Sequence, residues 1–564
     1  MAEKKKRLPV GVENFEQIIK DNFYYVDKTG LISELLLSGR MVNLFTRPRR
    51  FGKTLTMSML EHFFSLEGDH SIFDGLEITK DTKLCEEYMG KYPVIFVSLK
   101  GINAAAYKDA FEFAVQIIKR VAGNFQFLLE SESLSDYDKS EYRELLDSGM
   151  SEAVFCGGLK TLSALLEKHC GEKVILLIDE YDVPLSKAFE NGYYDQMVFL
   201  IRNLLEQALK TNNSLKFAVM TGCMRISKES IFTGLNNFTT FTITDVDFDE
   251  YFGFTDQEVR DLSAYYECTD KYQNIKEWYD GYHFGNVDVY CPWDVVSYLR
   301  SLRANKEAVP QNYWVNTSGN AEVKEFIRQS KNATTKHEIE RLMAGEIITK
   351  TIRPELTYKD MYSSIENIWS VLFTAGYLTH AGQVDAGSYK LRIPNAEIHN
   401  IFVMQIKEHF DESILKDGGI LSKFCDALLD GNMKYVEEIF DSYLKKTIRI
   451  RDTFVKKALK ENFYHGILVG ILGVKEGWQV SSNKETGEGY GDILIETEDG
   501  KTGIIIEMKY ADDGNLSGAC ETALRQIEEK QYDEIFRENG VNRILKYGIA
   551  CYKKRCRVML AENR

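Results

Sequence analysis

Two stretches of the sequence hold side chains whose types and spacing suit phosphate chemistry. In RPRRFGKTLT, residues 47–56, Gly52, Lys53 and Thr54 match the end of the pattern G-x-x-x-x-G-K-[ST], but Arg47 stands where that pattern opens on glycine. Such a loop binds phosphate through its amides and the start of a helix, with Lys53 reaching the outer phosphates and the Thr54 hydroxyl ligating magnesium. Gly52 lets the backbone approach closely, and Arg49 and Arg50 add positive charge where phosphates would sit. Downstream, EKVILLIDEYDVPL ends an apolar run, Val174 to Ile178, with Asp179 and Glu180. Asp179 is expected to hold magnesium, largely through water, and Glu180 to polarise the attacking water. The run LKFAVMTGCMRIS ends in Thr221, at a strand end expected to face the γ-phosphate; Arg225 follows, either sensing phosphate or pairing with a surface carboxylate.

The second stretch is GYGDILIETEDGKTGIIIEMKY near the C-terminus. Asp499-Gly500 suits a two-residue hairpin turn, which sets Glu498 opposite Lys501 and Asp492 opposite Glu507. Opposed Cβ atoms on one sheet face lie about 4.5–5.5 Å apart, and like charges there are destabilising. A divalent cation removes that cost, and hard magnesium suits two carboxylates plus waters. Lys509 shares the face of Glu507 by strand periodicity, where an ammonium can activate the water that attacks a phosphodiester. The competing reading is a half-exposed hairpin with casual surface charges; Ile493, Ile495, Ile504, Ile505 and Ile506 make both faces too apolar for it.

The elements that must position these residues follow from periodicity. Val42 to Phe45 read as a strand, and from Lys53 the apolar Leu55, Met59, Leu60 and Phe63 have helical spacing. YPVIFVSLKG, residues 92–101, supplies another buried strand, so strands alternate with helices over residues 20–240 and imply a mostly parallel sheet with helices on both faces. From 240 to 450 the sequence is expected to be a helical lid and connector region, with Trp278, Tyr279, Tyr282, Trp293 and Trp314 as core and interdomain anchors and His283 structural.

Length and composition bound the classes. A chain of 564 residues should divide into several domains, at roughly 150 residues each, and the expected division is 1–240, 241–450 and 451–564. Apolar residues at 44% with only 8 prolines favour packed, helix-rich cores over disorder. No apolar run of about 18 residues is present and the N-terminal basic cluster lacks an apolar segment behind it, so neither a membrane span nor a secretory signal is expected and the cytoplasm is the expected compartment. Ten cysteines without a C-x-x-C pair point to reduced thiols rather than a disulfide framework or zinc ribbon. A net charge of −15 opposes indiscriminate attraction to nucleic acid but permits a local groove; Arg543, Lys546, Lys553, Lys554, Arg555 and Arg557 form either that groove or a solvated tail.

VGVENFEQIIKDNFYYVDKTGLISELL, TRPRRFGKTLTMSMLEHFF, LLIDEYDVPL and RISKESIFTGLNNF together resemble the AAA-ATPase-like family, related to the P-loop AAA+ group, over roughly the first 240 to 300 residues. In that family the loop itself resembles RPRRFGK, so Arg47 departs from the general pattern and not from the family's. The resemblance implies ATP as ligand, and it suggests an adenine- or phosphate-proximal place for Tyr25, Asp27 and Lys28. The order Asp492, Glu507, Lys509 resembles the PD-(D/E)XK nuclease superfamily over roughly residues 450–564, a domain commonly fused to that ATPase-like family. There the resemblance implies Glu461, on the helix ENFYHGILVGIL, as a further acid, and Gln526, in ALRQIEEKQY, as an active-site neighbour; Tyr532, six residues on, does not share its face by helical spacing. Gly491 takes the place where proline is common, a frequent departure.

The fold class is therefore α/β, with an N-terminal P-loop parallel sheet, a helical middle and a C-terminal α/β restriction-endonuclease-like domain. The expected function is an ATPase whose nucleotide state controls a magnesium-dependent nuclease acting on nucleic acid, DNA by superfamily analogy, with a homo-oligomer as a further analogy to AAA+ proteins. The alternative is a nucleotide-dependent switch or scaffold whose nuclease-like domain binds nucleic acid or a partner without cutting. A kinase fits Gly52-Lys53-Thr54 but leaves the C-terminal constellation unexplained.

Overall fold

Runs of β-branched and aromatic residues bounded by polar turns form the first sheet: β1 (Val42–Thr46), β2 (Val94–Ser98), β3 (Val174–Asp179), β4 (Leu215–Gly222) and β5 (Phe238–Phe241). All neighbours are parallel, in the order β2-β3-β4-β1-β5. The computed structural model describes residues 5–224, 238–314, 321–329, 333–353, 355–361, 363–415, 420–447, 457–472, 475, 477–486, 489–553 and 555–561. Every residue of β1 and β3 is buried, as helices on both faces require. On one face Val42, Leu44, Val174, Leu176 and Ile178 pack against the helices Tyr107–Gly123, Glu152–Cys170 and Tyr194–Leu209. The opposite face receives α1 (Lys53–Phe64), whose Phe64 ring meets Phe217 edge-on at 5.4 Å.

The chain forms two compact units, residues 1–319 with 350–397, and residues 320–349 with 398–564. The first unit thus takes in much of the middle of the chain. That middle is helical and also carries two three-stranded sheets, one from Phe254–Thr255, Tyr282–Phe284 and Val287–Tyr290, the other from Ile348–Thr351, Thr379–Asp385 and Ser388–Arg392. Tyr279, Tyr282 and Trp314 are buried there, and the His283 ring nitrogen lies 2.7 Å from Asp288.

The second unit is built on β6 (Trp478–Thr486), β7 (Gly489–Thr497), β8 (Thr502–Tyr510), β9 (Arg543–Tyr552) and β10 (Arg555–Leu560), in that order across the sheet. Only the β8–β9 neighbours are parallel. Along β8 alternate residues face opposite cores. Ile504, Ile506 and Met508 join a cluster with α2 (Lys457–Leu472) and the helices Ile420–Asp430 and Met433–Thr447, while Ile505 joins Leu494, Ile527, Tyr532 and Phe536 beneath α3 (Leu516–Glu529). Gly548 on β9 lets α3 come this close, because a Cβ there would stand 2.5 Å from the Cys520 carbonyl oxygen.

The hairpin differs in one respect from the two-residue turn expected at Asp499-Gly500. The strands end at Thr497 and resume at Thr502, leaving a four-residue loop that the Thr497 hydroxyl closes through the Thr502 amide (3.2 Å) and carbonyl (3.1 Å). The loop is centred on the same dipeptide, so the register is the expected one: Ile493 pairs with Ile506 and Glu496 with Gly503. All ten cysteines are free thiols, and no helix among the described residues is long and apolar enough to cross a membrane.

Candidate functional site

The loop after β1 turns on two left-handed residues, Arg50 (φ 72°) and Gly52 (φ 82°), the second being the residue before α1. Only glycine adopts this backbone without cost, so Gly52 is suited to its place and Arg50 is held there by its surroundings. The Lys53 ammonium is buried under the loop and donates to the Arg47 and Pro48 carbonyls, each at 3.0 Å, with the Cys223 sulfur at 3.5 Å. At the fully buried end of β3, Asp179 accepts from the Thr54 hydroxyl on one oxygen (2.9 Å) and from the Thr221 hydroxyl on the other (2.5 Å). One carboxylate thereby gathers three segments of the chain, Thr54 lying 125 residues before it and Thr221 42 residues after it.

Glu180 follows in the left-handed region (φ 51°), its amide 3.4 Å from the Thr221 hydroxyl. Burial, and after it the neighbouring Asp179 charge, push its carboxyl above the usual range. Arg49 is exposed, whereas the Arg50 guanidinium lies over the Trp293 ring at 4.2 Å. Arg225 falls outside the described residues.

Arg47 does not face the loop. Its side chain is completely buried and donates to the carbonyls of Thr46 (3.0 Å), Phe241 (2.8 Å) and Phe248 (3.3 Å), with Phe252 and Phe284 rings at 5.0 and 5.5 Å. The side chain in place of the pattern's first glycine is thus a strut between β1 and β5. Tyr25, Asp27 and Lys28 are likewise engaged with other parts of the chain: the Tyr25 hydroxyl with Met59, the exposed Asp27 with the Thr29 and Glu77 amides, and Lys28 with Glu258 and the Glu250 carbonyl.

Sequence reasoning missed Asp182. Its buried carboxylate accepts from the Cys223 and Met224 amides at 2.9 and 3.1 Å, tying the turn after β3 to the turn after β4. A signal was present, since Asp182 precedes Val183-Pro184 and so has the sequence signature of a helix N-cap, but its side chain caps a different turn.

In the second unit Glu507 is buried on β8 and accepts from the Lys509 ammonium at 2.9 Å, both on the α3 side that Ile505 also faces. Beside them on β9 stand Gly548 and Ala550, small enough for α3 to pack closely. Asp492 belongs to β7, but its side chain lies outside the described residues. Glu461, on α2, accepts from the Tyr510 amide at 3.1 Å, just beyond Lys509. Gln526 donates to the Tyr532 hydroxyl at 3.0 Å, although helical spacing does not put the two on one face. The reason is that α3 stops at Glu529 and Gln531 turns left-handed (φ 51°), folding Tyr532 back.

Of the C-terminal basic residues, Lys546 pairs with Glu528 and Asp533, Arg557 reaches Glu437, and Lys553 covers the Tyr552 ring; Lys554 lies outside the described residues. Among the described residues no group of three or more His, Cys, Asp and Glu is arranged to hold a metal ion. The described pair that fits one by its oxygen chemistry is Thr54 with Asp179.

Residues 9–232 match the family described as "Predicted AAA-ATPase", and residues 459–560 match the PD-(D/E)XK nuclease superfamily. The chain joins an AAA-ATPase-like domain to a PD-(D/E)XK domain. It is also similar to an uncharacterized protein encoded in the vnfD 5′ region of Azotobacter chroococcum mcd 1, at 27% identity over 545 residues and 95% of each chain. The AAA-ATPase-like match ends at 232, yet the residues that grip its nucleotide loop, from Phe248 to Gly376, come later in the chain. Both domain types generally use nucleotide or divalent metal.

Proposed function

We propose that this protein binds and hydrolyses ATP with magnesium and that the nucleotide state controls a magnesium-dependent phosphodiesterase, a DNA nuclease, in its C-terminal domain. The observation that carries the reading is the Asp179 carboxylate, held between the Thr54 and Thr221 hydroxyls at the carboxyl edge of a parallel sheet. Thr54 and Asp179 would hold magnesium, which when bound neutralises phosphate charge. Lys53 lies within the same loop to meet the outer phosphates, and the left-handed Glu180 takes the proton of the attacking water. At the second centre Asp492 and Glu507 would hold magnesium, Lys509 orients the water, and Glu461 and Gln526 fix the strand end and the covering helix. The division 1–240, 241–450 and 451–564, a cytoplasmic location, nucleic acid as partner and assembly of several copies belong to the same proposal.

The test is cleavage of plasmid and single-stranded DNA with magnesium, with and without ATP, comparing wild type with Asp492→Ala and Lys53→Ala. Cleavage lost in Asp492→Ala, and responsive to ATP only while Lys53 is present, is the expected result. ATP hydrolysis that needs Lys53 without cleavage of any nucleic acid would replace the nuclease by a nucleotide-dependent switch or scaffold.

A further inference from the structure

The residues of the nucleotide loop are gripped one after another by parts of the first unit that lie far along the chain. The Arg47 guanidinium sits between Phe252 and Phe284, and Pro48 packs where Gly376 leaves no Cβ. The Arg49 carbonyl accepts from the Trp314 indole at 3.4 Å. The Arg50 carbonyl meets the Cys291 thiol, with the Arg50 side chain over Trp293, and the Phe51 ring lies against Tyr282 and Phe284 at 5.0 and 5.1 Å.

Trp314 uses its two donors in two directions. The indole N–H goes to the loop, and the backbone N–H donates to the Glu397 carboxyl at 2.7 Å, while the buried ring is braced edge-on by Tyr377 at 4.9 Å. Glu397 lies in the first turn of the helix Ala396–Leu415, whose first two residues belong to the first unit and whose remainder belongs to the second. Behind it, Glu397 and Asp294 are each 1% exposed and face one another, with the Arg50 charge acting on Asp294. Burial drives both carboxyls upward, Glu397 further because of Asp294, while the Arg50 charge holds Asp294 down. Such a pair is tied to its partners by charge and hydrogen bonds at once, so displacing one member disturbs the others.

Resting on the nucleotide reading above, we propose that Trp314 and Glu397 are positioning residues that transmit the backbone position of loop residues Arg49 and Arg50 to the helix Ala396–Leu415, and that this is how nucleotide state reaches the second unit. Loop amides that engage phosphate move the Arg49 carbonyl, the indole bond at 3.4 Å tightens or breaks, and the rigid Trp314 passes the displacement to Glu397.

The test is hydrogen exchange on the full chain, followed in the segment 396–406 with and without the non-hydrolysable ATP analogue AMP-PNP and magnesium. Wild type should change its exchange in that segment by about fivefold, the low end of allosteric coupling. Trp314→Phe keeps the ring and removes the indole donor; Glu397→Ala removes the acceptor. Both should lose that response when each variant is saturated with AMP-PNP, and Glu397→Gln, which retains the acceptor and offers Asp294 an N–H, should restore it. Analogue that binds without a response in 396–406, or a response that survives in both Trp314→Phe and Glu397→Ala, overturns the proposal. Analogue that fails to bind wild type removes the nucleotide reading instead. The strut is then decided without nucleotide: Arg50→Ala should alter exchange in 396–406 in the wild-type background and not alongside Trp314→Phe, and any other pattern overturns it.

Discussion

Arg47→Gly restores the glycine that the general phosphate-loop pattern has at this position, and the structure sets the sign of its effect against that pattern. Arg47 has no left-handed backbone, so glycine relieves no strain. Its removal strips the buried Phe241 and Phe248 carbonyls of their donor, at about 1–3 kcal/mol each. Loss of the two aromatic contacts adds roughly 1–3 kcal/mol. One term opposes these: burial lowers the guanidinium from its ordinary 12.5 to about 10, so removing the charge returns roughly 3 kcal/mol. The balance is a destabilisation of roughly 3 kcal/mol, centred on the junction of β1 and β5. Urea unfolding of the full chain, followed by intrinsic fluorescence, should show the first unit's transition moving to lower urea in Arg47→Gly with its slope unchanged. An unmoved midpoint together with tighter ATP binding would refute the strut and return Arg47 to the phosphate site.

Three further outcomes are expected. Gly548→Ala should cost the second unit about 1–3 kcal/mol, because its Cβ would meet the Cys520 carbonyl at 2.5 Å and push α3 from the sheet; thermal unfolding checks this, and an unchanged transition counts against the close packing. His380 is buried with its pKa lowered to about 4, chiefly by desolvation and then by His283, while Asp288 pulls it up and Arg392 down. As pH falls from 6.5 towards 4 the unfolded chain takes the proton first, so the first unit should lose up to roughly 3 kcal/mol, and His380→Phe should flatten that part of the stability profile. Glu180→Gln should keep ATP binding within about twofold and lower hydrolysis by about a hundredfold or more, read as phosphate release under single-turnover conditions.

How far the sequence carries depends on whether an interaction is local. Val42 to Thr54 is a strand, turn and helix whose signals lie within one another's reach, and Asp179 at the end of β3 follows from a single apolar run. The β7–β8 register was legible because the Asp499-Gly500 turn fixes it, although the closing role of Thr497 was not. Arg47 could not be placed, since its partners Phe241, Phe248, Phe252 and Phe284 are about 200 residues away and carry no periodicity that points back to it. Tyr282–Phe284 and Val287–Tyr290 are too short and aromatic to separate from general core packing by pattern. Gln526 and Tyr532 meet only because the left-handed Gln531 ends the helix, a conformation that no residue type there announces.

The grip on the nucleotide loop also sets a schedule for the ribosome. The loop is complete by Gly52, but Gly376 and Glu397, which fix Pro48 and Trp314, are made about 350 residues later. At about 5–20 residues per second the nascent loop waits roughly 20–70 s for them, exposing Arg47 and Phe51 to the cell in the meantime. A fragment that stops at residue 240 prolongs that wait indefinitely, so the shortest piece able to present a formed loop has to be translated through the start of the helix Ala396–Leu415.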